Sequence, residues 1–228
     1  MGISQGGSLI LMGVIGVLGW IVQARLQSVF AKYSKVPFPG MLTGAEVAAK
    51  MLRDNNVHNV KITHVGGQLT DHFNPQTKTV ALSESVYASR SIAAAAVAAH
   101  ECGHAVQYAT GYAPVRMRSA LVPAVSFASN IVQWVLLAGV IFINTFPNLI
   151  WIGIFLFATT TLFSFVTLPV EINASARAIS WLTQTGITDS QTRPMAIDAL
   201  KWAAYTYVVA ALGSLATLLY YIGLARRD

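Results

Sequence analysis

Residues 91–107 read Ser-Ile-Ala-Ala-Ala-Ala-Val-Ala-Ala-His-Glu-Cys-Gly-His-Ala-Val-Gln, an alanine-rich run that ends in an H-E-x-x-H pattern. Alanine is the strongest helix former, so the run predicts a helix. Residues four apart lie on one helix face, and His100 and His104 can therefore offer two imidazole nitrogens to one metal ion. Glu101 lies beside that face, where it can reach a water molecule as a general base. The pattern predicts a zinc site of the zincin type.

The surroundings of this pattern favour a metal site over a chance match. Small apolar residues on both sides predict burial, and buried His and Glu side chains need partners, which a metal ion supplies. Acidic residues are also scarce, nine in 228. The single cysteine, Cys102, excludes an intramolecular disulfide. It is interpreted as a small buried side chain, because a helix directs it away from the two histidines.

The composition of the chain is that of a membrane protein. Hydrophobic residues make up 54% and charged residues 11%, against roughly 25% charged residues in soluble domains. Three stretches carry no charged side chain: 1–24, 119–170 and 202–225. About 20 apolar residues cross a bilayer as a helix, and the spans predicted are 9–24, 120–143, 149–170 and 203–224. The net charge of +6 does not indicate nucleic acid binding, because most basic residues lie beside the apolar stretches.

A small region of mixed secondary structure is predicted between the first and second spans. Thr43 to Glu46 form a capping box that opens a helix. Residues 60–65 and 79–83 predict strands, residues 66–77 a loop, residues 84–88 a short helix, and Gly111 with Pro114 the end of the metal helix. A further helix of mixed polarity is predicted over 171–182. The predicted fold class is mainly α: a polytopic membrane protein with about four transmembrane helices and a small α+β, zincin-like catalytic region with a short β-sheet.

These elements divide the chain into five segments. They are an N-terminal transmembrane anchor (1–26), an α+β region with the H-E-x-x-H helix (27–118), a transmembrane hairpin (119–170), a helix and loop carrying the third ligand (171–201), and a C-terminal transmembrane helix and tail (202–228).

The distribution of Lys and Arg predicts the orientation in the membrane. Residues 25–118 carry ten, residues 171–201 three and the tail two, whereas the N-terminal end and the 144–148 hairpin carry none. An uncleaved anchor with its N-terminus outside therefore puts thirteen of the fifteen basic residues inside. The metal helix is expected on the cytoplasmic side.

A catalytic zinc needs three protein ligands, so one ligand is missing from the helix. The candidates are Glu171, His64, His72 and the few Asp residues. Glu171 is favoured because it directly follows the third span, where an ionised group is costly unless a cation pairs with it. The alternative is that Glu171 pairs with Arg177. His58 and His64 are interpreted as surface residues.

Further motifs carry a resemblance to a known family. They are His100-Glu-Cys-Gly-His-Ala-Val-Gln107, Gly111-Tyr-Ala-Pro114, Arg118-Ser-Ala-Leu-Val-Pro123, Leu168-Pro-Val-Glu-Ile-Asn-Ala-Ser175, Leu42-Thr-Gly-Ala-Glu46, and Leu69-Thr-Asp-His72 through Leu82-Ser83. Over nearly the whole chain they resemble the bacterial YugP-type membrane zinc metallopeptidases (neutral zinc metallopeptidase family 2). The resemblance implies a multi-pass protein of the bacterial inner membrane, with one Zn²⁺ on His100, His104 and Glu171.

That family is in turn similar to HtpX and the CAAX prenyl protease, in which a Glu on a later helix is the third ligand. In those relatives an Asp four residues after that Glu orients a His ligand, whereas this chain has Ser175 there. A neutral hydroxyl orients a ligand more weakly, so Asn173 or Ser175 is expected to share that work.

The function expected is hydrolysis of peptide bonds near the cytoplasmic membrane surface, with Glu101 as the general base. Candidate donors to the oxyanion are His72, Tyr108 and Arg177. The strand at 79–83 is expected to bind substrate as an edge strand. The expected partners are a peptide or membrane-protein substrate and the lipid bilayer, and the sequence leaves the oligomeric state open.

Two other classes of function stay open. One is a zinc-binding membrane scaffold or regulator without proteolytic activity, which has the same motif. The other is an ion transporter with a path of intramembrane Glu and His. The spans disfavour a transporter, because Asn130 and Gln133 are their chief polar insertions.

Overall fold

The computed structural model describes residues 5–37 and 40–226, and within them the chain forms seven helices and one three-stranded sheet. The elements are α1 (Gln5–Tyr33), α2 (Gly44–Asp54), β1 (Lys61–Val65), β2 (His72–Asn74), β3 (Thr79–Ser83), α3 (Glu84–Tyr87), α4 (Ile92–Ala109), α5 (Ala113–Ile141), α6 (Pro147–Gln184) and α7 (Arg193–Ala225). Four of the described helices, α1, α5, α6 and α7, are long and apolar enough to cross a membrane. The predicted fold class is confirmed.

The chain divides into two compact units, the first of which consists of residues 5–22, 117–168 and 206–226. It contains the apolar parts of the four long helices. Gly139 allows α5 and α6 to approach closely, because a Cβ on it would lie 2.7 Å from the Cα of Ile150. A hydrogen bond of 2.7 Å between the hydroxyls of Thr161 and Ser214 joins α6 to α7.

The second unit consists of residues 23–37, 40–116 and 169–205. Its core is formed by α4, α2, β3 and the C-terminal part of α6, with Met51, Leu82, Ile92 and Leu182 among the fully buried side chains. The capping box at α2 is confirmed, since Thr43 and Glu46 each accept a hydrogen bond from the other's backbone N–H. The division into five segments stays a prediction.

The sheet has the order β1-β3-β2, with β1 parallel and β2 antiparallel to β3. Two predictions about this region are wrong. Residues 72–74 lie inside the predicted loop but form β2, because a three-residue strand is too short to show alternation. Residues 79–83 are the central strand, so they are not the edge strand expected to bind substrate.

The metal helix α4 is buried over most of its length. Ser91 begins it by accepting a hydrogen bond from the N–H of Ala94, and Gly111, with a φ of +64°, follows its end. The intervening alanines are buried on several sides, which their small size allows. Pro114 lies in the first turn of α5, where its missing N–H costs nothing.

Residues predicted as the third span and the mixed-polarity helix after it form one continuous helix. α6 runs from Pro147 to Gln184, with Pro169 inside it. Proline removes one helical hydrogen bond, but membrane helices tolerate it where neighbouring groups satisfy the backbone. The helix that carries Glu171 is therefore an unbroken extension of an apolar span.

Candidate metal centre

The two histidines of the H-E-x-x-H pattern lie one turn apart on α4, as their spacing predicts. Their ring centroids are 4.7 Å apart and their planes are almost perpendicular, at 84°. Both are largely buried. The two Nε2 atoms converge, since both lie near the same oxygen atom of one carboxylate.

That carboxylate belongs to Glu171 on α6, which comes 67 residues after His104 in the sequence and beyond the α5–α6 hairpin. One oxygen, Oε2, lies 3.3 Å from Nε2 of His100 and 3.4 Å from Nε2 of His104. Glu171 is only 2% exposed. The structure therefore brings Glu171 to the histidines, and it does not place His64 or His72 in this group.

Gly103, inside the H-E-x-x-H pattern, makes this meeting possible. A Cβ on Gly103 would lie 2.7 Å from the carbonyl oxygen of Ala174 and 3.2 Å from its Cα. The backbones of α4 and α6 are thus in direct contact at this point. Because Ala174 is less than one turn beyond Glu171, the close crossing brings the Glu171 carboxylate within reach of the histidines.

The three donor atoms fit a zinc ion. Two imidazole nitrogens and a carboxylate oxygen are donors that catalytic zinc sites use. His100, His104 and Glu171 offer one atom each, and these atoms lie within 4.8 Å of one another. Atoms bonded to zinc at about 2.05 Å in a tetrahedron stand about 3.3 Å apart, close to the distances from Glu171 to the two histidines. The group is positioned to bind a metal ion.

Glu101 follows His100 on α4 and is 8% exposed. Among the described residues, no hydrogen bond or ion pair engages its carboxylate. A buried carboxylate in that state is costly, and its oxygens are available to a water molecule. The structure thus places a buried carboxylate directly after His100 on the same helix.

Each histidine makes a second contact through Nδ1. His100 Nδ1 lies 3.1 Å from the hydroxyl oxygen of Ser175, and His104 Nδ1 lies 3.1 Å from Oε1 of Gln107. The amide nitrogen of Gln107 donates to Asn173 Oδ1 at 3.0 Å. Asn173 and Ser175 were predicted near the ligands. Gln107 was not, although its position three residues after His104 on the same helix face was the available signal.

The candidate oxyanion donors have other contacts. His72 Nδ1 lies 2.8 Å from the carbonyl oxygen of Thr70, and Tyr108 is 45% exposed with its ring near Phe73. Within the described residues, neither makes a hydrogen bond to His100, His104 or Glu171. Arg177 donates from Nε to Asn173 Oδ1 at 2.8 Å.

Cys102 is not part of the metal-binding group. Its side chain is fully buried, and its sulfur lies 3.6 Å from the carbonyl oxygen of Ala48. Burial, with a smaller contribution from the charge of Glu101, raises the pKa of the Cys102 thiol. The thiol therefore stays protonated and behaves as the small buried side chain that was predicted.

The electrostatics of the site favour positive charge on His104. Burial alone lowers the pKa of His104, but the hydrogen bond with Glu171 and the charges of Glu101 and Glu171 more than offset it. The pKa of His104 is therefore raised above its ordinary value. The two carboxylates thus favour a positive charge between them. When no metal ion is bound, a proton on His104 supplies part of that charge.

A buried group of two imidazoles and a carboxylate, beside a further glutamate in H-E-x-x-H, is typical of zinc peptidases. The chain belongs to the family described as "Putative neutral zinc metallopeptidase", whose pattern matches residues 8–226. It is 40% identical over 211 residues to "Putative membrane protease YugP" of Bacillus subtilis (strain 168), covering 92% of each chain. No solved structure matches it. The predicted family resemblance and the zinc cofactor are confirmed.

Proposed function

We propose that this protein is a zinc metalloendopeptidase of the gluzincin type, which hydrolyses peptide bonds beside the cytoplasmic membrane surface. The observation that carries the proposal is the meeting of donor atoms from His100, His104 and Glu171 next to the buried Glu101. Zinc held by these three ligands supplies Lewis-acid chemistry, since it lowers the pKa of a water molecule and polarises a carbonyl group.

Glu101 is the general base in this reaction. Its carboxylate accepts a proton from the water whose oxygen attacks the peptide carbonyl carbon. Glu101 then passes that proton to the peptide nitrogen as the carbon–nitrogen bond breaks, so that the products are a carboxylic acid and an amine. Ser175 holds the ring of His100 through Nδ1, the ring nitrogen that does not face Glu171. His72, Tyr108 and Arg177 are candidate donors to the developing oxyanion.

The membrane orientation completes the proposal. Residues 1–26 form the anchor, with the N-terminus outside, and residues 119–170 form a hairpin whose turn is also outside. Residues 27–118 and 171–201, which carry the four site residues, lie on the cytoplasmic side of the bacterial inner membrane. The support is the distribution of Lys and Arg, which is densest in these two segments. Substrates are peptides or membrane proteins that reach this surface.

The central experiment separates catalysis from metal binding. The full chain, purified in detergent and loaded with zinc, is incubated with a quenched fluorescent peptide library of mixed sequence. Glu101→Gln is expected to keep its zinc, since Glu101 is not a ligand, and to lose cleavage by at least 10²-fold, the low end of what a general base contributes. Zinc content is measured by elemental analysis and cleavage by fluorescence.

Glu84→Gln is the matched control, because Glu84 is an exposed glutamate in the same unit. It is expected to cleave as the wild type does. Cleavage by Glu101→Gln at the wild-type rate would show that Glu101 is not the base. A wild-type protein that binds zinc and cleaves no peptide would instead favour the scaffold or regulator.

The role of Glu171 is tested by metal content alone. Glu171→Ala removes one of three protein ligands, so the zinc occupancy of the purified protein is expected to fall well below one ion per chain. Full occupancy would remove Glu171 from the ligand set and return His64 and His72 as candidates.

A further inference from the structure

Gln107 is a buried amide between α4 and α6, the two helices that carry the proposed ligands. It is 0% exposed, so its polar atoms have to find their partners inside the protein. Oε1 lies 3.1 Å from His104 Nδ1, and Nε2 lies 2.8 Å from the carbonyl oxygen of Val170 and 3.0 Å from Asn173 Oδ1. All three contacts are to a ligand or to residues within two positions of Glu171.

The orientation of this amide is determined by groups that can act in only one way. The main-chain carbonyl of Val170 can only accept a hydrogen bond, so it faces the amide nitrogen of Gln107. Arg177 can only donate, and its Nε lies 2.8 Å from Asn173 Oδ1, so Asn173 also presents an oxygen. Both constraints turn the nitrogen of Gln107 toward α6 and its oxygen toward His104.

An oxygen at this position favours one tautomer of His104. The amide oxygen of Gln107 only accepts, so it stabilises a hydrogen on Nδ1 of His104, in competition with the carboxylate of Glu171, which attracts a hydrogen to Nε2 when no metal is bound. In the neutral ring the lone pair is then on Nε2, which is the atom 3.4 Å from Glu171 Oε2. We propose that Gln107 is a positioning residue that holds His104 in its zinc-binding tautomer, and that Val170, Asn173 and Arg177 hold Gln107. The inference rests on the proposed zinc site.

His100 has no equivalent constraint. Its Nδ1 lies 3.1 Å from the hydroxyl oxygen of Ser175, and a hydroxyl can rotate to donate or to accept. Both tautomers of His100 satisfy that contact. The two histidines therefore differ: His104 is held in one tautomer by a chain of one-way hydrogen bonds, and His100 is not. Removing the Gln107 amide should weaken zinc binding more than removing the Ser175 hydroxyl.

The test measures zinc affinity of the full chain in detergent by competition with a chromophoric chelator. Gln107→Met keeps the side-chain length and removes all three hydrogen bonds, and its affinity is expected to fall about 10- to 100-fold, as for other groups that orient metal ligands. Ser175→Ala is expected to lose less. Gln107→Glu should recover part of the loss, because a neutral buried carboxyl can donate to Val170 and still accept from His104.

Thr110→Val is the matched control. It is a near-isosteric change three residues further along the chain, and within the described part of the chain the hydroxyl that it removes binds the carbonyl oxygens of Val106 and Gln107 and no others. Its zinc affinity is expected to equal that of the wild type. Gln107→Met with an affinity within twofold of wild type would overturn the proposal.

A second measurement needs no variant at this position. In zinc-free Glu171→Ala protein, which lacks the carboxylate that competes for a proton on Nε2, ¹⁵N chemical shifts of labelled histidine at a pH where the imidazole is neutral report which nitrogen carries the proton. His104, assigned by its loss in His104→Ala, should be protonated on Nδ1. Protonation on Nε2 would overturn the proposal. Neither measurement uses cleavage, so a protein that binds zinc but cleaves nothing would refute the peptidase and leave the role of Gln107 standing.

Discussion

Glu101 and Glu171 are buried carboxylates on neighbouring helices, and their different surroundings suit them to different tasks. Glu171 lies between two imidazole nitrogens at 3.3 and 3.4 Å, so a cation placed among them is held by three donors. Glu101 has no hydrogen bond or ion pair among the described side chains, which agrees with the proposal that it acts as the general base. Burying a carboxylate is costly, and a cation bound beside Glu101 and Glu171 would offset part of that cost.

The raised pKa of His104 gives the site a defined response to pH. In the zinc-free protein, Glu171 and Glu101 favour the protonated form of His104. The attraction between this imidazolium and the two carboxylates therefore stabilises the folded state fully at a pH below the pKa of an unfolded histidine. That contribution is lost as the pH rises through the raised pKa. The affinity for zinc instead increases as the pH rises, because the proton on Nε2 of His104 has to leave before the metal can bind.

We therefore expect the apparent zinc affinity to increase about tenfold per pH unit while the pH lies below the raised pKa of His104. Above that pKa the affinity should level off. The measurement is chelator competition between pH 5.5 and 8.5, corrected for protonation of the chelator. An affinity that already levels off at or below pH 6.5, the ordinary pKa of histidine, would contradict a raised pKa.

The residues of the site differ in how far the sequence could predict them. His100, Glu101 and His104 follow from a local spacing, and helix geometry alone places the two histidines on one face. Glu171 was favoured because a lone carboxylate after an apolar span needs a partner. The role of Gln107 could not be predicted from the sequence, because it depends on hydrogen bonds to Val170 and Asn173, which belong to another helix.

At the scale of elements, the crossing of α4 and α6 decides whether the ligands meet. Replacing Gly with Ala inside a helix normally stabilises it by up to about 1 kcal/mol. At Gly103 the added methyl would lie 2.7 Å from the carbonyl oxygen of Ala174, and overpacking of this kind costs about 1–3 kcal/mol. The collision is with backbone, which cannot move aside as a flexible side chain can.

Gly103→Ala is therefore expected to lower both the thermal stability and the zinc affinity, since it pushes α6 and Glu171 away from the histidines. The measurements are thermal unfolding and chelator competition on the full chain. Gly66→Ala is the control, because a Cβ there meets nothing within 4 Å. A Gly103→Ala protein with unchanged affinity would show that the helices separate without moving Glu171.

The elements that sequence reasoning missed share a physical cause. β2 spans only His72–Asn74 and is held by pairing with β3, so it has too few residues to produce a periodic signal. For the same reason β3 was expected at an edge, although β2 and β1 cover both its sides. By contrast, the capping box at Thr43 and Glu46 is a local motif, and it was predicted correctly.

At the scale of the whole molecule, the four spans could be predicted because the length and hydrophobicity of a segment are enough to identify it. Knowledge of the residues that it contacts is not required. The orientation of the spans is a prediction from charge.

In a background with Cys102→Ala, Thr145→Cys in the 142–146 turn should react with a membrane-impermeant maleimide in intact spheroplasts. Gln76→Cys, in the turn between β2 and β3, should react only after lysis. Both positions are exposed. The reverse result would place the site on the outer face.

The separation of Glu171 from His104 along the chain also has a consequence for biosynthesis. The ribosome releases His100 and His104 first, and the 66 residues between His104 and Glu171 include most of the α5–α6 hairpin. At translation rates of about 5–20 residues per second, Glu171 follows roughly 3–13 seconds later. A nascent chain thus holds two of the three ligands while the hairpin is being made. The three donor groups are all present only after α5 and most of α6 have been synthesised, so a chain abandoned before that point has an incomplete metal-binding group.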